Sequence, residues 1–395
     1  MTGPASSEVP RPLTWLSADE EAWRAKVRSF AADVLAPRVR EMDEAMRISP
    51  EVIRELFDAG LMGVEIPEVY GGSGGDLFSI VLTIEEIARV DPAVAVLVDV
   101  QNALVASALL RHADGDARRR HLPRLANGTV GAYAISEPEA GSDAFNSRTV
   151  ARADGNGYVI SGMKRWISGA REAGLFVVFA KLEGAGLTAF LVDREAAGLT
   201  VHDAIPKMGI RASSTCDMTF DDVRVGKRDV LGKPGAGQVL AVETLSVGKV
   251  GIAAQLVGLA QGAYDVAVDY AGRREQFGQV IGTFQGVAFP LAALAAELEA
   301  ARTLLYNTTR LIQHGAEGAE RVRATAMAKY FASEVAVKMT AQGVETMGAN
   351  GFIPDHPMEK FYRDAKVGKI YEGTDNMQFK TISPRYGRPQ SQGNG

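Results

Sequence analysis

Glu372 lies in IYEGTDNM (370–377), between an aromatic residue and a glycine. A carboxylate there can hold a helix end. It can also act as a general base if it is kept near a substrate and away from bulk water. Gly373 would let a ligand approach the backbone closely. A second candidate, YAISEPEAGSD (133–143), offers small residues, approachable amides and the hydroxyls of Ser136 and Ser142. These suit either a polar ring edge or a turn held by serine and Asx capping. In GMKRWISG (162–169), Trp166 stands between a strand-like run and a turn. Its face can pack in a core or against a planar cofactor, and Ser168 shares that face if the strand continues. RREQFG (273–278) follows a long helix whose last turn favours positive charge. The alternative is an arginine paired with a phosphate, with Phe277 and Gln285 reaching the same ligand. Periodicity does not choose between these readings.

Several chemistries are disfavoured. The chain has neither a Gly-x-Gly-x-x-Gly turn nor a P-loop, the two commonest nucleotide signatures. Its five histidines show no metal-ligand spacing, and one cysteine, Cys216, allows no intrachain disulfide, so no metal is expected. A formal charge of −5 argues against non-specific nucleic-acid binding. No stretch approaches 18 uncharged apolar residues, and MTGPASSEVPRPLTWLSA has neither a secretory nor a transit pattern. The expectation is a cytoplasmic protein with no membrane and no nucleic-acid partner. GRPQSQGNG (387–395) reads as a flexible tail.

The elements that must position these residues fall into three periodicities. Residues 19–130 read as helical: Trp23, Val27, Phe30 and Val34 recur at helical spacing, Val52, Ile53, Leu56 and Phe57 follow, and Pro37 marks a start or kink. Residues 131–235 hold short β-rich runs (158–162, 174–180, 187–193 and 216–225) separated by turns such as DGNG and EGAG. Without crossover helices, they predict an antiparallel sheet or small barrel. Residues 236–386 return to long helices, over about 240–270, 285–313 and 321–346, with Leu291, Leu294 and Leu298 on one stripe. Such helices can also pack between subunits.

The order EPxAGSD, KxWISG, GxRxS, RxxFG and YEGT resembles the acyl-CoA dehydrogenase family over roughly residues 19–386. The look is nearest to its short/branched-chain (2-methylbutyryl-CoA) branch, through GLMGVEIPEVYGG, the QN at 101–102, IRASST, AMAKYFASE and EKFYRDAKVGKIYEGT. The resemblance implies an α+β multidomain fold with an N-terminal helical domain, a middle β-barrel domain and a C-terminal four-helix bundle. It also implies FAD as cofactor, a homotetramer or at least a homodimer, and an electron-transfer flavoprotein as acceptor.

Carried over by position, the resemblance places Tyr133, Ile135, Ser136, Trp166 and Ser168 along the flavin. Arg274, Phe277 and Gln285 would meet the pyrophosphate and adenosine part from a neighbouring subunit. Glu345, Gly348 and Ala349 would approach the adenine side, with Thr374 and Asn376 also at the cofactor. Ser142, Ser246, Lys249, Tyr371 and Gly373 would serve the acyl-CoA. Glu372 would remove the α-proton while the β-hydrogen leaves as hydride to flavin N5, and its backbone N–H would bind the thioester oxygen. The family's other base position is here Gly248, which has no side chain. Lys249 stands where relatives carry arginine, Glu139 replaces a glycine, and Gly226 replaces a proline. Two alternatives accompany this reading: the same chemistry on an acyl carrier protein, suggested by Lys249 and Glu139, and a flavin oxidase or monooxygenase on the same fold. A flavin-binding scaffold without activity is disfavoured by the retained Glu372.

Overall fold

The structure is a computed structural model that describes residues 12–383; the expected tail at 387–395 lies outside the described residues. The chain opens with seven α-helices: α1 (Ala18–Phe30), α2 (Val39–Ala45), α3 (Pro50–Asp58), α4 (Leu77–Ala88), α5 (Pro92–Asp99), α6 (Ser107–His112) and α7 (Gly115–Ala126). Ser17 caps α1 in a reciprocal box with Glu20, which explains why the helix starts there. Pro37 sits in a 3₁₀ turn (Ala36–Arg38) that kinks the path from a π-helical turn (Ala31–Leu35) into α2. A second π-helical segment (Val100–Ala106) joins α5 to α6.

Eight strands follow: β1 (Val130–Ala134), β2 (Val150–Asp154), β3 (Gly157–Ser168), β4 (Ala173–Leu182), β5 (Gly186–Asp193), β6 (Leu199–Ala204), β7 (Thr215–Gly226) and β8 (Val230–Leu231). Their ladder runs β6-β7-β3-β2-β4-β5-β8, with β1 also on β4. The antiparallel expectation needs one correction, because β1 and β2 both pair with β4 in parallel. β1 lies along residues 173–178 of β4 and β2 along residues 181–182, so the long excursion between them, which carries EPEAGSD, brings the chain back to β4 further along in the same direction. Buried Glu137 anchors that excursion, bonded to Lys164 Nζ (2.7 Å) and Thr149 N (3.1 Å). Burial alone would raise this carboxyl, but Lys164 and the hydrogen bonds bring it down to about 2.

The last third begins with α8 (Gly237–Arg273) and a two-stranded hairpin, β9 (Glu275–Gln276) and β10 (Gln279–Val280). Then come α9 (Gln285–Gln313), α10 (Gly318–Met347), α11 (Met358–Ala365) and α12 (Asp375–Ile382). Two apolar helical stretches, Pro92–His112 (mean hydropathy 1.9) and Gly237–Arg273 (1.4), have the length and composition to cross a membrane, which the residue count at the sequence level had passed over. The most apolar windows of both are largely buried, 94% and 72%, so here they are core helices.

Core helix α8 packs unusually close to its neighbours. Gly248, Gly251, Gly258 and Gly262 share a face with Gln255 at i, i+3, i+7, i+10 and i+14. A Cβ on Gly258 would overlap the Glu85 carbonyl, and one on Gly262 would overlap that of Arg89, so α8 lies backbone to backbone on α4. Buried Lys360 on α11 bonds to Asp91 (2.9 Å) at the start of α5 and to Asp364 (2.7 Å) one turn on in its own helix, and Asp364 in turn accepts from Ile210 N. That network joins the N-terminal helices, the β6–β7 connection and the C-terminal helices at one point. Gly258→Ala should cost about 3 kcal/mol, because backbone rather than a mobile side chain must move. Urea unfolding checks this, and an unchanged midpoint would contradict the close approach.

Candidate active site

Glu372 lies in the turn between the 3₁₀ segment Lys366–Lys369 and α12, two residues before the cap position Thr374. It has φ +53°, a left-handed conformation uncommon for a side-chain-bearing residue, and Gly373 follows at φ +89°. The pair reverses the chain and aims the carboxyl at α8, away from α12. Two donors hold this turn. Lys329 Nζ on α10 donates to Gly373 O (2.9 Å), and Gln378 Nε2 donates to Glu372 O (3.0 Å) and Gly373 O (2.7 Å).

The carboxyl rests on Gly248. A Cβ there would stand 3.2 Å from Glu372 Oε1, 3.3 Å from its Cδ and 2.6 Å from Leu104 Cδ2. Gly248 is therefore the space that Glu372 occupies, as well as a position without a base of its own. Glu372 Oε2 is buried with no hydrogen-bond partner. Burial raises the acid to about 7, against the downward pull of Lys249 and Lys329. The two lysines respond in turn: burial lowers both, Lys329 to about 8, with Glu372 opposing in each case. An unpaired carboxylate poised near neutrality in an apolar setting is suited to removing a weakly acidic proton.

Tyr371 turns the other way and donates its hydroxyl to Gln255 Oε1 (2.9 Å), while Gln255 Nε2 donates to Pro92 O (3.3 Å). Burial pushes the Tyr371 phenol upward, with Asp99 and Glu372 adding to it. Tyr133 closes another side. It is buried on β1 beside Thr244, its hydroxyl is unpartnered, and Glu372 acts on it electrostatically.

A second group of expected residues surrounds a strand defect. Between Lys164 and Ile167 the β3–β7 register shifts, and Trp166 adopts φ +63°. The indole is left 53% exposed on a strand whose neighbours are core. Strand β3 does continue to Ser168, but the bulge interrupts the simple alternation by which Trp166 and Ser168 were expected to share a face. Ser136 O accepts from Arg165 N (2.9 Å), and Ile135 O accepts from Lys164 Nζ (3.1 Å), so the end of β1 lies against this bulge.

A third group stands apart. Arg274 follows the last residue of α8, Phe277 lies in the hairpin beyond it, and Gln285 opens α9. Arg274 is exposed with no ion pair among the described residues, and Phe277 is 94% exposed at φ +52°. Glu345, Gly348 and Ala349 belong to this end too: Asn350 Nδ2 donates to Tyr270 Oη (2.9 Å), one turn before Arg274. From Gly248 to the end of α8 the helical rise amounts to about 38 Å. Within one protomer, then, the first and third groups do not meet.

Of the remaining expectations, Lys249 and Gly373 are at the carboxyl, Thr374 stands at the N-cap position of α12 without a side-chain capping bond, and Asn376 is exposed. Ser142 is exposed in the β1–β2 excursion. Ser246 donates its hydroxyl to Val242 O (2.7 Å) within α8, leaving only lone pairs for a ligand. Sequence reasoning missed Lys329, Gln255, Leu104 and Asp99. A lone acid in the apolar run PAVAVLVDVQNALVA was a visible signal for the last.

Comparison with known proteins bears on the whole of this fold. Profiles of the acyl-CoA dehydrogenase N-terminal, middle and C-terminal domains match residues 17–129, 132–223 and 235–387. The short/branched chain specific acyl-CoA dehydrogenase of Rattus norvegicus mitochondria is 44% identical over 376 residues, 94% of this chain and 86% of the relative. Butyryl-CoA dehydrogenase of Megasphaera elsdenii superposes with a TM-score of 0.90 at 33% identity, covering 93% and 98% of the two chains. A chain from work on the electron transferring flavoprotein of Acidaminococcus fermentans superposes at 0.91, with 36% identity and the same coverage.

Two measurements test the electrostatics. Because Glu372 keeps its proton in the fold up to about pH 7 but releases it near 4.5 when unfolded, it costs stability as pH rises through that window. Glu372→Gln should therefore raise the Tm at pH 8 and leave it unchanged at pH 4. Lys329→Met removes a cation that favours the ionised acid, so the pH at which activity reaches half its plateau should move upward from about 7. A shift downward would contradict the assignment of Lys329.

Proposed function

The chain belongs to the acyl-CoA dehydrogenase family, and from that premise we propose that it desaturates a short or branched-chain acyl-CoA thioester, with Glu372 as base. The observation that carries this reading is the unpaired Glu372 carboxyl seated on Gly248, raised to about 7 by burial. A thioester α-proton is only weakly acidic, and a carboxylate with a raised pKa in an apolar site is matched to it. Ionised Glu372 takes this proton. The charge left behind spreads to the thioester oxygen, and Glu372 N–H, which meets no backbone acceptor in the described turn, is the chain's own donor to it. Lys249 and Lys329 keep enough of the acid ionised for the step.

FAD is the cofactor of this family, and when bound it supplies the acceptor for the β-hydrogen, which leaves as hydride. This chain's residues fit that group. The half-exposed Trp166 on its strand bulge offers a flat aromatic face, and the unpaired Arg274 offers a fork for a phosphate. Tyr133, Ile135, Ser136 and Ser168 would line the ring side. Gln285, Phe277, Glu345, Gly348 and Ala349 would meet the nucleotide side, with Thr374 and Asn376 near the turn.

Because about 38 Å of helix separates the seat of Glu372 on Gly248 from Arg274, a cofactor reaching both the Glu372 turn and an Arg274 would be held by different protomers. We therefore assign a homo-oligomer, a homotetramer or at least a homodimer, as the working form. Exposed Phe277, Phe289 and Phe352 at the hairpin end are suitable anchors for its interface. An electron-transfer flavoprotein is the proposed acceptor, and the buried, unpaired Cys216 accords with a reducing compartment such as the cytoplasm.

Anaerobic mixing with short and branched acyl-CoA thioesters should bleach the flavin, whereas Glu372→Gln should bind FAD and thioester yet lose nearly all reduction. Reduction at the wild-type rate in that variant would refute the base. Turnover far better on a carrier-protein thioester than on the CoA thioester would move the substrate to the carrier class. Rapid peroxide formation in air would make the protein an oxidase. Arg274→Glu should lower flavin content, and co-production with a Trp166→Glu chain should recover part of it by pairing intact halves. No recovery would count against a shared site.

A further inference from the structure

Lys249 takes part in the proposed reaction only through its charge, and its amine has no other task. It lies on α8 directly after Gly248, the seat of the Glu372 carboxyl, so its Cα is about 3.8 Å from that of the seat. Among the described residues it makes no hydrogen bond and no ion pair, and it is only half-buried. Burial lowers its pKa from the ordinary lysine range, against the upward pull of Glu372.

Lys329, the other amine of the site, is held differently. It is fully buried, donates to Gly373 O (2.9 Å) and stands 4.0 Å from Asp375. It is a bonded part of the turn, whereas Lys249 is not bonded to anything. Both amines act electrostatically on Glu372 and on each other, so the three groups surround one point.

A thioester carbonyl carbon is an acylating electrophile, and it is bonded to the α-carbon that Glu372 must reach. A lysine side chain extends roughly 6 Å from its Cα on a flexible stem. From the residue beside the base's seat, that is enough to meet a carbon one bond from the base's target. An unprotonated amine there is a nucleophile. An arginine in its place would stay protonated and inert. We propose that Lys249 is a self-acylation site, whose amine attacks the thioester carbonyl carbon of a bound short-chain acyl-CoA. An amide N–C bond forms, the C–S bond breaks, and the proton lost by the amine leaves with coenzyme A as its thiol. No oxidant or reductant is needed. The amide is uncharged, so the modified chain loses a cation that favours ionised Glu372, and the attached acyl group stays in the site. Thioester that remains bound without turnover thereby inactivates the enzyme.

The inference rests on the acyl-thioester reading of this site. Holoenzyme without an electron acceptor would be incubated with butyryl-CoA, and lysine acylation mapped over time by mass spectrometry. Lys249 should gain its acyl group at least about tenfold faster than the exposed Lys366 and Lys380, because bound thioester is held beside it. S-butyl coenzyme A, a thioether that cannot acylate, should protect Lys249 but not the exposed lysines, and Lys329 should stay unmodified. The rate of flavin reduction should fall in step with the Lys249 adduct, while Lys249→Arg should hold its own starting rate under the same treatment. Labelling of Lys249 no faster than that of the exposed lysines, or indifferent to the thioether, overturns the proposal. Flavin reduction by butyryl-CoA in that same sample would show desaturation to be intact. Protected labelling of Lys249 with no flavin reduction at all would instead overturn the desaturase reading and uphold the acylation site.

Discussion

The close approach of α8 to its neighbours is the constraint on which the rest of the structure depends. Four glycines on one helical face let backbone meet backbone and let side chains from other elements fill the space that a Cβ would take. At one end the occupants are main-chain carbonyls of α4, which makes the contact purely structural. At the other end they are the side chains of Leu104, Asp99 and Glu372. Glycine weakens a helix interior by roughly 1 kcal/mol per residue. A 37-residue helix largely buried against its neighbours can carry that loss.

Electrostatics follow from this packing. The protein buries several charges, and it treats them in two ways. Lys164 with Glu137, and Lys360 with Asp91 and Asp364, are paired and hydrogen-bonded, so they anchor the excursion and join the three parts of the chain. Glu372 and Asp99 are left without hydrogen-bond partners. Removal of one member of a paired group would strand the other charge, which is why such groups are costly to break. The unpaired carboxyls have no such structural justification, and both face the same side of α8. The contrast between satisfied and unsatisfied acids separates scaffold from site without reference to any ligand.

Much of the architecture was legible from the residues. The order of helices, strands and long helices follows from hydrophobic period, and the bounds expected for the second long helix, 285–313, are those observed. The parallel pairing of β1 and β2 with β4 was not legible, because periodicity gives a strand's faces but not its partner. Likewise, Trp166 was a visible aromatic, yet its exposure depends on a bulge that only cross-strand register reveals. QN at 101–102 drew notice only by resemblance. In the fold both are buried ties, Gln101 to Gly131 N (2.7 Å) and Asn102 to Val64 N (2.8 Å).

Glu372 shows where the line falls. Its residue type, the glycine after it and the ordered motifs along the chain were enough to single it out, because a reaction class constrains chemistry at particular positions. Its properties were beyond sequence. The raised acidity, the seat on Gly248 and the opposing lysines come from segments more than 40 residues away in the chain, brought together by tertiary packing. Local sequence determines which groups are available and in what secondary structure. Desolvation and charge coupling depend on distance in space, and so only the folded chain decides the acidity of this carboxyl and that Asp99 stands one turn of α8 away from it.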